Sequence, residues 1–224
     1  MTQHFVSLCD KMFSGAESLY ILGDFIEYWL GDDQQLGDLA DAFSALQRLK
    51  NSGAAVYFMH GNRDFLLSET FAQGFGCELL KDPTLLQING KPTALLHGDT
   101  LCTDDTAYLE FRKLVRSPQW QQAFLAKPLQ ERVDIATGLR ETSKQATQEK
   151  NNDIMDVNPL AVQQLFREQK VMQIIHGHTH RPGIHDYQID GQLCQRIVLG
   201  DWYKTASILV VDNGHMDMQT IPLV

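Results

Sequence analysis

The chain has 224 residues and a mass of 25.4 kDa, enough for one globular domain with a sizeable core. Its 43% hydrophobic and 21% charged residues are typical of a globular protein, and its net charge of -9 argues against a surface devoted to nucleic acid. No run approaches the roughly 18 apolar residues of a membrane span, and the N-terminus has no signal-peptide pattern. We therefore expect a soluble cytoplasmic protein that can still touch a membrane surface.

The first part of the chain alternates between helical and strand-like patterns. Residues 4–14 and 36–50 carry apolar side chains at helical spacing, whereas 19–22 and 55–59 are short apolar runs that predict buried strands. Each predicted strand ends in a polar motif, Gly23-Asp24 after the first and Gly61-Asn62-Arg63-Asp64 after the second. A chain of this kind normally begins with a strand, whereas here a helix comes first.

The same alternation continues further along the chain. Residues 65–76 predict a helix, and an Asn89-Gly90 turn predicts a hairpin that ends at His97-Gly98-Asp99. Residues 171–175 predict a strand before Gly177-His178-Thr179-His180, and antiparallel strands are expected from residue 184 onward. The order predicts an α/β sheet whose polar loops gather at one edge, where such folds place their sites.

Residues 101–158 interrupt this order with three predicted helices and no strand-like run. Between 110 and 150 there are eight basic and five acidic residues, although the whole chain is acidic. One interpretation is a solvated helix face. The other is a helical lid that meets an anionic, partly apolar ligand, with apolar side chains such as Val133 and Leu139 either lining a slot or packing the lid onto the scaffold.

The polar motifs combine the side chains of a transition-metal site. Asp24 offers an anionic oxygen that can bridge two cations, and Asn62 offers a neutral amide oxygen. His97, His178 and His180 offer imidazole nitrogens. Mixed oxygen and imidazole ligands suit manganese, iron or zinc better than calcium. All these motifs follow apolar runs, so the sequence predicts a metal centre at the strand ends.

This series resembles the calcineurin-like metallophosphoesterase superfamily. Within it, the match is to the family of UDP-2,3-diacylglucosamine diphosphatases, the pyrophosphatases of lipid A biosynthesis. Arg63 stands where the broad superfamily usually has histidine, and this difference favours that family. The resembling stretches are 20–24, 60–67, 97–105, 154–158, 175–182 and 198–202.

The resemblance implies an α/β fold, a calcineurin-like sandwich of the βαββ type. We expect a single domain over residues 1–224 with a helical cap insertion at about 101–158. The family opens with a strand that carries Asp-x-His, and no Asp-x-His occurs before Asp24. The expectation is therefore that this first strand is missing from the chain, by truncation or by genuine loss.

The resemblance also implies a pair of Mn2+ ions bridged by Asp24. Asn62, His97 and His178 would complete one site, and His180 would serve the other. Without Asp-x-His the second site keeps two protein ligands and is incomplete, because catalytic metal sites usually keep three. No catalytic group is expected beyond a metal-activated water. His176, just before the histidine pair, is expected to support the site rather than bind metal.

Substrate contacts are implied at seven positions: Asn62, Arg63, Asp105, Ser143, Thr147, Lys150 and His178. Thr147 stands where better-known family members have asparagine, and a hydroxyl keeps one hydrogen bond but not the paired donor and acceptor of an amide. The planar fork of Arg63 suits phosphate oxygens. The alternative interpretation of Arg63 is a surface ion pair with Asp64 or Asp99.

The implied reaction is hydrolysis of the pyrophosphate bond of UDP-2,3-diacylglucosamine to UMP and 2,3-diacylglucosamine 1-phosphate (lipid X). It would take place peripherally on the cytoplasmic face of the inner membrane, with no nucleic acid and no obligate protein partner. Two alternatives stay open. One is a catalytically impaired or silent ligand-binding form, because the Asp-x-His ligands are absent. The other is a phosphodiesterase with another substrate.

Overall fold

The structure of the chain is a computed structural model that describes residues 2–149 and 156–223, with the side chains of 142–149 excepted. The helices are α1 (Thr2–Lys11), α2 (Leu39–Asn51), α3 (Glu69–Gly74), α4 (Thr106–Val115), α5 (Pro118–Leu125), α6 (Leu129–Glu149) and α7 (Pro159–Gln169), with a 3-10 turn at Asp99–Leu101. The strands are β1 (Ser18–Ile21), β2 (Ala55–Met59), β3 (Cys77–Leu80), β4 (Thr84–Ile88), β5 (Lys91–Leu96), β6 (Gln173–His176), β7 (Gly183–Ile189), β8 (Gln192–Val198), β9 (Thr205–Asp212) and β10 (His215–Pro222).

The first sheet is parallel, with strand order β1-β2-β3. Helix α2 buries one face on it, because Ala42, Phe43 and Leu46 recur at helical spacing and are inaccessible to solvent. The predicted helix at 65–76 is shorter than expected. The side chain of Ser68 caps the first turn of α3 by accepting from Phe71 N (3.1 Å), so the helix begins at Glu69.

The second sheet has the order β4-β5-β6-β8-β7, with β5, β6 and β8 parallel. The Asn89-Gly90 hairpin is confirmed, and both turn residues have the positive φ that such a turn requires. Strand β3 and helix α7 were not predicted from the sequence. A signal for α7 existed, since Asn158 caps it by accepting from Leu160 N (2.8 Å) and Pro159 occupies its first turn.

Strands β9 and β10 form a separate antiparallel ribbon. Within the described residues, β1 pairs only with β2 and β9 only with β10, so each leaves one edge open. Both strands line one cleft of about 1550 Å³, which extends to Asp24 and His178. The cleft thus joins two open sheet edges to the strand ends where the sequence predicts the metal centre.

The helices α4, α5 and α6 confirm the three helical stretches predicted between residues 101 and 158. Leu129, Val133 and Ala136 of α6 pack against the main hydrophobic cluster that also contains Trp29 and Phe43. For these side chains, packing onto the scaffold is therefore the better of the two interpretations.

No helix of the described chain combines the length and the apolar composition needed to cross a membrane.

Arg132 fastens α6 to the scaffold. The residue is 2% exposed, and its guanidinium donates to Leu30 O (2.5 Å) and pairs with both carboxylate oxygens of Asp33. Gly31 leaves the space that this guanidinium occupies, because a Cβ there would lie 2.3 Å from Nη1. The buried side chain of Arg132 therefore fits only because residue 31 has no Cβ.

We expect Arg132→Met to lower the free energy of unfolding by about 2–3 kcal/mol, because it leaves a buried carbonyl unpaired and removes charged hydrogen bonds. Urea unfolding measures this loss. Arg140→Met, on the same helix, is the matched control. Arg140 is exposed and pairs with Glu27 (3.2 Å), so its loss should cost below about 1 kcal/mol. Equal losses in the two variants would contradict the anchoring role.

All four cysteines, Cys9, Cys77, Cys102 and Cys194, are buried thiols. Burial raises the pKa of Cys9 and of Cys102 to about 12. Thiols with such pKa values stay protonated at neutral pH and are poor nucleophiles. They act as small apolar side chains in the core.

Candidate metal centre

The predicted ligands lie together at the carboxyl ends of four strands. Asp24 follows β1, Asn62 follows β2, His97 follows β5 and His178 follows β6. Among the described residues, Asp24, His97 and His178 present ligand atoms that all lie within 4.8 Å of one another. Parallel strands bring their carboxyl ends to one edge, and this explains how residues distant in sequence converge.

The amide oxygen of Asn62 belongs to the same cluster. It lies 3.0 Å from His97 Nε2 and 2.9 Å from His178 Nδ1. His97 Nδ1 lies 2.8 Å from Leu22 O, a contact that places a proton on Nδ1 and directs Nε2 toward the cluster. One carboxylate, one amide oxygen and two imidazoles form a donor set that fits manganese, iron or zinc.

The backbone of this centre is strained where the ligands are presented. Asp24, His178 and His180 have φ values of +53°, +63° and +55°, in the left-handed region that non-glycine residues rarely adopt. A Cβ at Gly61 would lie 2.2 Å from Asp24 Oδ1, and one at Gly23 would lie 2.6 Å from His97 Nδ1. The glycines of the motifs thus permit the close approach of the loops. Strain of this kind persists where the surrounding structure over-determines it, typically at functional sites.

The electrostatics of the centre favour a cation. Burial, reinforced by the neighbouring His97, lowers the pKa of His178 to about 4, so its imidazole is neutral and keeps a lone pair at neutral pH. Burial and the nearby Asp24 carboxylate raise the pKa of Asp64 to about 6, against the amide hydrogen bond from Gly61. The carboxylates of Asp24 and Asp64 therefore place negative charge beside the imidazole nitrogens.

Asp64 joins two of the loops and was missed as a site residue. Its side chain is fully buried, with Oδ1 accepting from Gly61 N (2.7 Å). Its Oδ2 accepts from Phe25 N (2.9 Å) and Ile26 N (3.4 Å). One carboxylate therefore holds the loop of Asp24 against the loop of Asn62.

His180 occupies a different position from the other predicted ligands. It lines the cleft, and its Nδ1 lies 3.8 Å from Asp201 Oδ2. Within the described chain it lies outside the group formed by Asp24, His97 and His178. The structure therefore brings together one ligand cluster and leaves His180 beside it.

Arg63 lies over the cluster, held by acidic partners that differ from those expected. Its backbone N–H donates to Asp24 Oδ1 (3.0 Å), and its guanidinium pairs with Asp24 (3.4 Å) and Glu27 (3.0 Å). It also donates to the hydroxyl of Tyr203 (3.1 Å). The alternative that paired Arg63 with Asp64 or Asp99 is wrong, because Asp64 is turned to backbone amides and Asp99 to α4.

Asp99 connects the centre to the helical insertion, a role that the sequence did not reveal. It accepts from the hydroxyl of Tyr108 (2.6 Å) and from Arg112 Nε (2.6 Å), both on α4. Although burial opposes it, the neighbouring His97 and Arg112 lower the pKa of Asp99 to about 2. The ring of Tyr108 lies 5.9 Å from that of His178, so this network also forms part of the wall of the site.

The remaining predicted substrate residues belong to the sequence of the insertion. Asp105 caps α4 by accepting from Tyr108 N (3.1 Å). The side chains of Ser143 and Thr147, and the whole of Lys150, lie outside the described residues. Their predicted contacts stay predictions.

The chain is similar in sequence to proteins of one family. A family model described as calcineurin-like phosphoesterase matches residues 5–182. A protein of Chromohalobacter salexigens named UDP-2,3-diacylglucosamine hydrolase is 47% identical, over 90% of this chain and 82% of that protein. One of the same name from Aromatoleum aromaticum is 50% identical, over 88% and 81%. A solved archaeal phosphodiesterase is 12% identical, with a TM-score of 0.47 over 99% of this chain and 91% of that one.

Proposed function

The chain belongs to the calcineurin-like phosphoesterase family, in the branch of the UDP-2,3-diacylglucosamine hydrolases, and on this basis we propose that it hydrolyses the pyrophosphate bond of UDP-2,3-diacylglucosamine. The products are UMP and 2,3-diacylglucosamine 1-phosphate, which places the reaction in lipid A biosynthesis. The observation that carries the proposal is the convergence of Asp24, His97 and His178 at the strand ends, in a family whose chemistry is phosphoester hydrolysis.

Manganese is the cation proposed for this centre, held by Asp24, Asn62, His97 and His178, with His180 serving a second ion. A bound divalent cation neutralises phosphate oxygens and makes water a better nucleophile near neutral pH. The chain itself supplies the anchoring of these ligands. Asn62 contacts both imidazoles, and Asp64 secures the loops that carry Asp24 and Asn62.

Arg63 is proposed to bind the phosphate oxygens of the substrate. Its guanidinium lines the cleft and already pairs with the carboxylates of Asp24 and Glu27, and this preference for anionic oxygens supports the proposal. Two parallel N–H groups of a guanidinium match two oxygens of one phosphate. When substrate binds, Arg63 exchanges its contact with exposed Glu27 for a contact with the phosphate. The other proposed substrate contacts are Asn62, Asp105, Ser143, Thr147, Lys150 and His178.

The insertion is proposed to meet the acyl chains and the membrane surface. Helices α4 to α6 leave Phe111, Leu114, Leu125 and Leu139 exposed, in a stretch of the sequence where basic residues outnumber acidic ones. Basic side chains near an anionic leaflet contribute about 1 kcal/mol each to membrane binding. This surface supports a peripheral location on the cytoplasmic face of the inner membrane.

A catalytically silent, ligand-binding form is the second candidate. The observation that favours it is the position of His180 outside the ligand cluster, which leaves a second cation with few protein ligands among the described residues. The two candidates differ in turnover but not in substrate binding. Activity measurements therefore separate them.

The experiment measures UMP release from UDP-2,3-diacylglucosamine with manganese. It compares this chain with a version carrying an added upstream segment that forms a strand ending in Asp-x-His. The open edges of β1 and β9 line the cleft that ends at Asp24, so an added strand can reach the centre. We expect release by both, and about 10²-fold faster release by the extended form, because a second cation is worth a few kcal/mol.

Three other outcomes would change the assignment. If this chain binds the substrate without releasing UMP, whether or not the extended form is active, the chain is a silent binder. If nucleotide diesters are cleaved in preference to UDP-2,3-diacylglucosamine, it is a phosphodiesterase of another substrate. If neither binding nor release is observed, the proposed substrate is wrong.

A further inference from the structure

A buried arginine and a buried histidine lie together behind the metal centre. Arg196 of β8 is 6% exposed, and His176 at the end of β6 is fully buried. Because Arg196 pairs with Ile174 in the parallel register, its side chain lies on the same sheet face as that of His176. Arg196 Nη1 lies 3.1 Å from His176 Nε2, and Arg196 Nε donates to the hydroxyl of Tyr187 (3.3 Å).

This contact determines which nitrogen of His176 carries the proton. A guanidinium can only donate, so Nε2 of His176 must accept and its proton lies on Nδ1. Nδ1 lies 2.9 Å from the carbonyl oxygen of Gly177 and donates to it. The side chain of Arg196 is thus connected, through one imidazole, to a backbone carbonyl next to His178.

The carbonyl of Gly177 is the pivot of the turn that presents His178. It also accepts from Thr179 N (2.7 Å), while Gly177 N donates to His97 O (2.9 Å). His178 follows directly in the left-handed region, with φ of +63°. Such a backbone conformation costs of order 1–3 kcal/mol and persists only when neighbouring contacts hold it.

His176 also touches the other histidine loop. A Cβ at Gly98 would lie 2.6 Å from His176 Nδ1, so the imidazole packs directly against the backbone after His97. One ring therefore lies between the loops of His97 and His178. Movement of this ring would displace both metal ligands together.

An ionised guanidinium is costly to bury, and an apolar side chain at position 196 would avoid that cost. We propose that Arg196 and His176 are positioning residues, which hold the turn of His178 in its metal-binding conformation through the hydrogen bond from His176 Nδ1 to the Gly177 carbonyl. The inference rests on the proposed metal centre. It assigns to this pair a role in metal affinity that general packing would not require.

The test compares two substitutions of His176 in the full chain. The amide nitrogen of asparagine can replace Nδ1 and still donate to Gly177 O, whereas the longer glutamine places its amide near Nε2 and reaches Arg196 instead. We expect His176→Asn to keep the Mn2+ dissociation constant within about threefold of the wild type. We expect His176→Gln to weaken Mn2+ binding about tenfold, the lower end of the range for residues that orient metal ligands. Electron paramagnetic resonance titration with Mn2+ measures both constants without turnover.

Arg196 is tested in parallel. Arg196→Lys retains a donor for His176 Nε2 and should keep most of the affinity. Arg196→Met leaves the hydrogen bond from His176 to Gly177 in place but no longer fixes the His176 tautomer, so its Mn2+ affinity should lie between those of the wild type and His176→Gln. Arg167→Met removes an exposed arginine paired with Asp190 (3.2 Å) and is the control with no expected change. Thermal unfolding of the metal-free variants runs beside each titration. If Arg196→Met fails to fold, the two His176 variants carry the test.

The outcomes are distinct from those for the proposed function. If the wild type binds no Mn2+, the metal centre itself fails. If the wild type binds and His178→Ala does not, the centre stands. In that case, equal Mn2+ affinity in His176→Asn and His176→Gln, or melting temperatures that fall with no change in affinity, would overturn the positioning role.

Discussion

Replacing Asp24 by asparagine is expected to remove Mn2+ binding and lower UMP release by about 10³-fold, while leaving the metal-free protein as stable as the wild type. The loss follows from the cluster, in which Asp24 is the one carboxylate of the ligand group that also contains His97 and His178. An amide retains an oxygen of similar shape but no charge. Losing about 4 kcal/mol of electrostatic stabilisation corresponds to this factor in rate.

Stability is expected to stay within about 1 kcal/mol because two effects offset each other. The ion pair between Asp24 and Arg63 is lost, but Arg63 keeps Glu27 as a partner. The substitution also removes the Asp24 charge, which adds to burial in raising the pKa of Asp64. Its removal therefore relieves a repulsion between two carboxylates. Asparagine also tolerates the left-handed φ of +53° at this position.

The measurement combines Mn2+ titration, UMP release and thermal unfolding of the metal-free protein. Asp10→Asn is the control, since Asp10 is an exposed carboxylate that pairs with Arg48 (3.1 Å) and is not one of the proposed ligands. Its binding and activity should equal those of the wild type. Retained Mn2+ affinity in Asp24→Asn would refute the assignment of Asp24 as the central ligand.

Replacing Asp64 by alanine is expected to lower the free energy of unfolding by about 3–5 kcal/mol. The fully buried carboxylate accepts from the backbone N–H groups of Gly61, Phe25 and Ile26, and each buried donor left unpaired costs about 1–3 kcal/mol. Domains are stable by only about 5–15 kcal/mol, so this loss is a large share of the total.

Asp64→Asn should lose about half as much as Asp64→Ala, because the amide has one accepting oxygen and can serve only one of the two loops. Urea unfolding at pH 7 measures both variants. Asp41→Asn is the control, since Asp41 is exposed and accepts only from Gln3 in the described structure (3.0 Å). Losses below about 1 kcal/mol for Asp64→Ala would show that the two loops hold together without the carboxylate.

Much of the site was accessible from local sequence patterns. The strand at 55–59 and the hairpin around Asn89-Gly90 were predicted with correct bounds or turn, because apolar runs and turn residues act over a few neighbouring positions. Asp24, Asn62, His97 and His178 were predicted as metal ligands because each lies just after such a run. The ends of helices were predicted less accurately than their presence. In α3, for example, the cap at Ser68 starts the helix several residues after the start of the predicted helical segment.

The sequence by itself determined the family and predicted which side chains would meet at one site, since both depend on residue types at the ends of short strands. The tertiary structure decided which groups hold those side chains in place. Asp64 reaches Phe25 across 39 positions, and Arg63 reaches Tyr203 across 140. No periodicity encodes such pairs, because a hydrogen bond depends on the separation in space that chain folding creates. For the same reason the contact from Arg196 through His176 to the turn of His178 became apparent only when β6 and β8 lay side by side.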